Sequence, residues 1–529
     1  MKDYYSHPGK VFINHIREII EIGEKLIDMF GPEKNESKEF YKKILRYFAF
    51  FHDLGKLTKD NQEKIKRGEK LQHPHSIYGG IIFRIFCLEK LNLEFSKNLN
   101  DKEKRIIYFI IRHHHSDLSN FWEIDKSIEN KNYKKEYVEE ILSSLADFSS
   151  LFYSLFSIQI DRILSSIRNN DLSELLEEIK KEEEAINFTR LKNNSTIDDY
   201  IDILFISSIC FLSDRLSANN SGEIFLKEID EEINIKKYEE LEEKIITHIS
   251  SLHSSDKIDK IRMECHNEII QRFKNIDIQT ARIFNVSLPT GIGKTYIGIR
   301  IAISIAKRYN TPIIYSLPFI NIIEQIDINF RKIFGNENVE KFHYLSVINT
   351  ENLEEERIDE FINFKVSPIL ITTFFQIFTT LFPNSRTSIL KFPILVNSCL
   401  ILDELQSFNP EFYYIFERLI EKIIEKGFRL RLILMSATLP PLFEGPNDLI
   451  INLTTTELRE KYYNLFNRYK ILFKGEVELE EYKKYLLDKI TSSDKERIGI
   501  ICNKVEEARE IFNFLKEKLN CKQKKYLES

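Results

Sequence analysis

The chain lacks any Cys-x-x-Cys pair, any excess of positive charge and any apolar run long enough to span a bilayer. Its six cysteines stand scattered at 87, 210, 265, 399, 502 and 521. That excludes a zinc ribbon, offers no disulfide framework and suits a reducing compartment. The formal net charge is −6, so no global basic field advertises nucleic acid, although a local groove can still bind it. The first residues, Met1 to His7, hold no apolar core of a secretion signal. The longest apolar stretches, such as Ile203–Leu212, are too short and too polar to cross a membrane. The expectation is a soluble, cytoplasmic protein. With 529 residues, 43% hydrophobic and 30% charged, it has room for about three domains.

What the chain does have begins with Thr290-Gly291-Ile292-Gly293-Lys294-Thr295. An apolar run, Ile283–Leu288, precedes it and an apolar-periodic segment, Tyr296–Ala306, follows. That order predicts a strand, a glycine loop and a helix around a phosphate. Gly291 and Gly293 let backbone N–H groups approach, Lys294 reaches the β/γ-phosphates, and Thr295 holds Mg²⁺. The longer phosphate-loop pattern needs glycine at 288, where this chain has leucine, so the short T-G-x-G-K-T form applies.

Eight of the twelve histidines lie before residue 116. Val11–Met29 has helical apolar spacing with His15 on or beside that face; alone, His15 reads as a satisfied core histidine. A helix near Glu39–Phe51 ends in His52-Asp53-Leu54-Gly55-Lys56. Adjacent imidazole and carboxylate at a helix end can meet one cation, and Gly55 lets the chain turn away. His73-Pro74-His75 opens a helix with small Gly79 and Gly80. A helix from about Asp101 runs into His113-His114-His115, a costly core unless a divalent metal satisfies it. Asp214 lies in an otherwise apolar helix, where a salt bridge to Arg215 is the plainer explanation.

The order H, HD, H, HH, D on a helical scaffold resembles the HD metal-dependent phosphohydrolase superfamily, over nearly the whole first 220 residues. An insertion-like polar helical stretch runs from about 120 to 200. The resemblance implies His52, Asp53, His75, His114, His115 and Asp214 as metal ligands, with His15 completing a second metal position. His114-His115 is matched because Ser-Asp-Leu follows, with His113 as the alternative register. Mixed imidazole and carboxylate donors suit Mn, Fe, Co, Ni or Zn, with Mg as an alternative. Two metals about 3.5–4 Å apart could activate a water and stabilise a leaving oxygen. Lys56 would neutralise the scissile phosphate.

From 221 to 275 the chain is charged and reads as a helical connector with solvated faces. Beyond it, short apolar runs (Ile283–Leu288, Pro312–Leu317, Pro368–Ile371, Cys399–Leu402, Leu430–Met435) alternate with helices, which implies a parallel sheet. Asp403-Glu404-Leu405-Gln406 leaves the fourth run; Asp403 can hold Mg²⁺ and Glu404 can polarise the attacking water. Ser436-Ala437-Thr438 leaves the fifth. Ser316 to Phe319 and Thr372 to Gln376 end the second and third, where their polar side chains would touch a nucleic-acid backbone.

T-G-x-G-K-T, then D-E-x-x, then S-A-T is similar to superfamily 2 helicases, with Gln406 in place of the usual His or Asp. An HD domain N-terminal to such a motor resembles the CRISPR-associated nuclease–helicase family of type I systems. The fold expected is therefore multidomain. An all-α HD domain (1–220) and the connector precede an α/β RecA-like lobe (276–445) and the start of a second lobe (446–529). The resemblance implies a metal-dependent single-stranded DNA nuclease coupled to an ATP- and Mg-dependent 3′–5′ helicase, recruited by the guide-RNA effector complex. The alternatives are an HD phosphohydrolase acting on nucleotides, or a truncated DNA-binding chain. The second lobe is expected to start with a strand at Arg497–Lys504 and a helix at Val505–Leu519. The family's later arginines do not follow, so ATP hydrolysis is expected to be weak unless a separate chain supplies them.

Overall fold

A computed structural model describes residues 4–71, 75–88, 91, 94–115, 133–185, 196–219, 235–252, 256–341, 367–383, 385–443, 448–466, 475–492 and 498–519. Two compact units divide the chain, 1–466 and 467–529. His73, Pro74 and the Ser-Asp-Leu after the triple histidine lie outside the described residues. No helix among the described residues is long and apolar enough to cross a membrane.

The N-terminal half of the first unit is helical, apart from a two-stranded antiparallel hairpin, β1 (Tyr5–His7) and β2 (Lys10–Val11). Helix Phe12–Phe30 buries Phe12, Ile16, Ile19 and Leu26 against helices Asn35–Phe51 and Ile197–Ala218. The last of these is buried nearly all round, which explains why its sequence shows no amphipathic stripe. Its start is fixed by a capping box between Thr196 and Asp199, and that of helix Asp101–His113 by one between Asn100 and Glu103. Phenylalanines 50, 51, 83, 86, 95, 152 and 156 interlock as the centre of this core.

The other half is a seven-stranded parallel sheet ordered β5-β6-β4-β7-β8-β3-β9. The strands are β3 (Ile283–Ser287), β4 (Ile313–Leu317), β5 (Val339–Lys341), β6 (Ile369–Thr373), β7 (Cys399–Asp403), β8 (Arg431–Ser436) and β9 (Ile450–Asn452). Burial on both faces makes the five central strands continuous apolar runs, which is why they were visible in the sequence.

Three expectations need correction. The described part of the stretch 221–275 is not a solvated connector: in helix Ile235–Ser251, Tyr238, Leu241 and Ile245 are fully buried against helix Lys294–Tyr309, and the Tyr238 hydroxyl donates to the Thr311 carbonyl at 2.7 Å. Glu239, Glu240 and Glu243 of that helix lie on its outer face. The first lobe does not end at 445, because β9 pairs with β3 and helix Thr456–Leu465 buries Tyr462 in the lobe's core. In the second unit, helices Leu479–Ser492 and Val505–Lys518 pack through Leu486, Ile511 and Leu515. Residues 498–502 form no strand, and Ile501 is 99% exposed. A strand needs a neighbour to satisfy its backbone, and the described part of that unit offers only helices.

Helical region and sheet share one hydrophobic core. Asn397 donates to the Phe30 carbonyl at 2.5 Å, the Glu33 N–H to the Gly427 carbonyl at 2.9 Å, and Arg429 to the Met29 carbonyl. Buried Asp202 accepts from Tyr41 (2.7 Å) and Lys102 (2.8 Å) on the helical side and from Lys426 (2.7 Å) on the sheet side.

Candidate metal centre and nucleotide site

Three helix ends and two helix interiors bring the expected ligands together. His52 caps helix Asn35–Phe51 and delivers Asp53 directly after it. His75 begins helix His75–Cys87, and His114 caps helix Asp101–His113. His15 projects from the first turn of helix Phe12–Phe30 and Asp214 from near the end of helix Ile197–Ala218. Gly79 allows the close fit: a Cβ there would lie 2.3 Å from the Phe51 carbonyl oxygen and 2.9 Å from that of His52. Gly55 is needed for a similar reason, a Cβ there falling 2.3 Å from the His75 carbonyl oxygen, rather than for the free turn its position suggested.

Asp53 divides the site. On one side His15 Nε2 stands 3.6 Å from Asp53 Oδ2 and 3.2 Å from Asp214 Oδ1, and His52 Nε2 stands 3.5 Å from each of the same oxygens. On the other, His75 Nε2 lies 3.1 Å and His114 Nε2 3.7 Å from Asp53 Oδ1. His115 joins this second group, with one ligand atom from each of Asp53, His75, His114 and His115 all within 4.8 Å of one another. His113 points elsewhere: its ring stacks on Phe109 at 4.3 Å and its Nδ1 meets the Phe109 carbonyl at 2.9 Å.

The tautomers make this a cation site. His52 Nδ1 lies 3.1 Å from both the Phe48 and Ala49 carbonyls, and His114 Nδ1 lies 2.7 Å from the Ile111 carbonyl. A carbonyl only accepts, so each Nδ1 carries a proton and Nε2 is left as the atom turned inward, the one a cation would meet. His15 Nδ1 meets Ser217 Oγ at 2.8 Å, and that hydroxyl donates to Glu18 at 2.9 Å. Among the described residues, Nε2 of His15, His52 and His75 and Asp53 Oδ1 are buried without a hydrogen bond, while Asp53 Oδ2 has the Lys56 ammonium 2.7 Å away. Lone pairs facing carboxylate oxygens at 3–4 Å repel unless something positive lies between. The donor set therefore fits divalent metals at two positions sharing Asp53.

The charges respond accordingly. Burial works to raise the Asp53 carboxyl, yet Lys56 and the facing imidazoles outweigh it and hold the group well below the usual carboxylate range. Asp214 behaves alike, burial being overcome by His15 and His52. For His15 burial works downward, but Asp214 and Asp53 win and raise its pKa, so a proton is what a metal displaces there. Lys56 is not on the surface facing outward. It is 4% exposed, with Nζ 2.7 Å from Asp53 Oδ2.

The nucleotide loop follows β3. Gly291 and Gly293 adopt φ of 80° and 100°, the left-handed region that a side chain would strain. Lys294 is buried and donates to the Leu288 carbonyl at 3.1 Å, at the start of the loop. Burial lowers its pKa, with Glu404 and Asp403 opposing. The Tyr315 hydroxyl, 2.5 Å from Asp403 Oδ2, also engages Thr295, so the two expected Mg²⁺-holding residues share one phenol. Glu404 sits at φ 59°, and Gln406 Nε2 donates to its Oε2 at 2.6 Å while Ser436 donates to the Gln406 oxygen. Gln406 thereby ties the acidic motif to the Ser-Ala-Thr motif. Thr290 and Gly291 are exposed, and the Gly291 carbonyl accepts from Arg262 at 3.0 Å.

The expected nucleic-acid contacts differ. Ser316, Thr372 and Thr373 are buried, because β4 and β6 are covered on both faces. At that end, where Leu317 pairs with Thr373, the exposed groups are Phe319 (60%) and Phe375 (63%). Sequence reasoning also passed over His7, Ser217, Tyr315 and Arg262. His7 alone left a signal, as the first member of the N-terminal histidine excess.

Comparison with known proteins agrees with this architecture. The HD domain family model matches residues 12–148, and the DEAD/DEAH box helicase model matches residues 260–444. A CRISPR-associated nuclease/helicase Cas3 of Haloferax volcanii is 32% identical over 189 residues, 31% of this chain and 20% of its own. A Methanocaldococcus jannaschii protein that carries the same name provisionally is 26% identical over 500 residues, 88% of this chain and 64% of its own. Among solved structures, T. fusca Cas3 with AMPPNP is 13% identical with a TM-score of 0.48, over 81% of this chain and 49% of that one. The chain thus spans 20% and 64% of the lengths of the two relatives. It joins a helical HD domain to a parallel-sheet DEAD/DEAH-box helicase domain and is homologous to the CRISPR-associated nuclease/helicases.

Proposed function

We propose that this chain is a metal-dependent single-stranded DNA nuclease fused to an ATP-binding motor lobe, acting in CRISPR defence. One observation carries the nuclease reading: Asp53 offers one oxygen to His15 and His52 and the other to His75 and His114, with the Nδ1 protons of His52 and His114 turned outward to backbone carbonyls. His15, His52, Asp53 and Asp214 would hold one divalent metal, and Asp53, His75, His114 and His115 another. Bound there, the metals would supply Lewis acidity and a nucleophilic water to phosphodiester hydrolysis. The protein's share is positioning. Ser217, Phe48, Ala49 and Ile111 fix the imidazoles, and the buried Asp53 carboxylate stays charged. Lys56 supplies the ammonium that faces a phosphate.

In the motor lobe, Lys294 and the loop at 290–295 would cradle the phosphates of ATP, with Thr295 and Asp403 on Mg²⁺ and Glu404 toward the attacking water. Residues 1–220 are assigned to the nuclease and the sheet to the motor. The homologues' name, CRISPR-associated nuclease/helicase, supports a place in CRISPR defence; recruitment by a guide-RNA effector complex, 3′–5′ translocation and Mn, Fe, Co or Ni as the metal belong to the same proposal. Cleavage of single-stranded DNA by the purified chain in a metal series tests the nuclease; no cleavage with any metal contradicts it.

A further inference from the structure

The hairpin Tyr5–Val11 folds over the His15 side of the centre and brings His7 to it. One ligand atom each of His7, His15 and Asp53 lies within 4.8 Å of the others, and the His7 and His15 rings are 4.9 Å apart. A cation already occupies this third triad. It is the Lys56 ammonium, 2.7 Å from Asp53 Oδ2 and 3.4 Å from His7 Nε2.

The hairpin is held in register with Lys56 itself. Gln62 accepts from the Tyr5 N–H at 2.9 Å and donates at 2.8 Å to both the Tyr5 and the Lys56 carbonyls. The other strand is tied to the centre's support, since Lys10 pairs with Glu18, which accepts from the Ser217 that orients His15. His7 Nδ1 lies 3.3 Å from Ser6 Oγ, leaving Nε2 as the atom turned to Lys56. An ammonium only donates, so His7 Nε2 faces Lys56 as an acceptor.

Two cations cannot share Asp53 Oδ2 without a large Coulomb cost in a buried site. We infer that His7 is the second seat of Lys56: when a divalent metal takes Asp53, the ammonium leans onto His7 Nε2 and is held there toward the scissile phosphate. This rests on the nuclease reading and makes His7 a positioning residue, not a ligand. Without His7 the ammonium has no second acceptor among the described residues and keeps competing for Asp53.

The test is a thermodynamic cycle read by calorimetric Mn²⁺ titration of wild type, His7→Ala, Lys56→Met and the double variant, all of full length. His7→Ala is expected to weaken Mn²⁺ binding about tenfold, within the range of coupling between sites. In the Lys56→Met background the same change is expected to have no effect. His7→Gln, whose amide oxygen can accept from Lys56, is expected to restore wild-type affinity and covers poor folding of the alanine variant. An equal loss in both backgrounds would make His7 a direct ligand and overturn the inference, as would no loss in either. Wild-type protein that takes up Mn²⁺ without cleaving DNA defeats the nuclease reading while the cycle still decides the seat. Wild-type protein that takes up none defeats both.

Discussion

Ser217 Oγ lies 2.8 Å from His15 Nδ1, joining two residues 202 positions apart in the chain. The hydroxyl passes its own proton to Glu18, so its oxygen is left to accept from the ring. Partners of this kind typically account for about 10–100-fold in metal affinity. Ser217→Ala is expected to lose metal affinity in that range while the fold persists, measured by calorimetry beside a thermal melt. Unchanged affinity would mean the His15 tautomer is set elsewhere.

Asp202 predicts how the helical region and the sheet are held together. Its carboxylate gathers Tyr41, Lys102 and Lys426 in a buried position. Asp202→Ala removes an acceptor from all three, although Lys102 keeps Asp199 at 2.7 Å, and is expected to cost on the order of 2–3 kcal/mol. Urea unfolding measures it; a loss below about 0.5 kcal/mol would mean the shared apolar core alone joins the halves.

His266 gives a pH dependence of stability. It is 5% exposed, and its Nε2 accepts from Arg300 at 2.7 Å. Burial, then Arg300, lower its pKa from 6.5 to about 4. Between these values the unfolded chain takes up a proton that the folded one refuses, so stability falls as pH drops from 6.5 toward 4 and levels off below. The loss is on the order of 3 kcal/mol, and His266→Gln should remove it from the difference between pH 7.5 and pH 4.5 unfolding curves. Parallel curves for the two proteins would contradict this.

Gln406 separates nucleotide binding from its consequences. Lys294→Ala is expected to weaken ATP·Mg binding at least about tenfold, because the loop loses its buried cation. Gln406→Ala should leave binding within about twofold, since its contacts run to Glu404 and Ser436 and not to the loop. A fluorescent ATP analogue distinguishes the two. Equal loss in both variants would place Gln406 in the nucleotide pocket.

The parts legible in the sequence were those with a period or a fixed spacing. Doubly covered strands such as Leu430–Met435 and the ligands at helix ends announced themselves in this way. Contacts between distant segments were not legible. Ser217 looks like any small helix residue, Tyr315 like one more apolar strand position, and His7 like part of a loose N-terminus. The charged segment around Tyr238 misled because its polar outer face outnumbers the few buried residues that dock it. The supposed strand from 497 misled because strand propensity says nothing of a partner to pair with.

The central claim is the metal centre divided by Asp53. Its direct test is single-stranded DNA cleavage without ATP in a series of Mn²⁺, Co²⁺, Ni²⁺, Fe²⁺ and Mg²⁺, with a His52→Ala/Asp53→Ala double variant as control. The account predicts cleavage with at least one transition metal, abolished in the variant. A folded wild-type chain that cleaves no DNA with any metal, or that hydrolyses free nucleotides in preference to DNA, would contradict it.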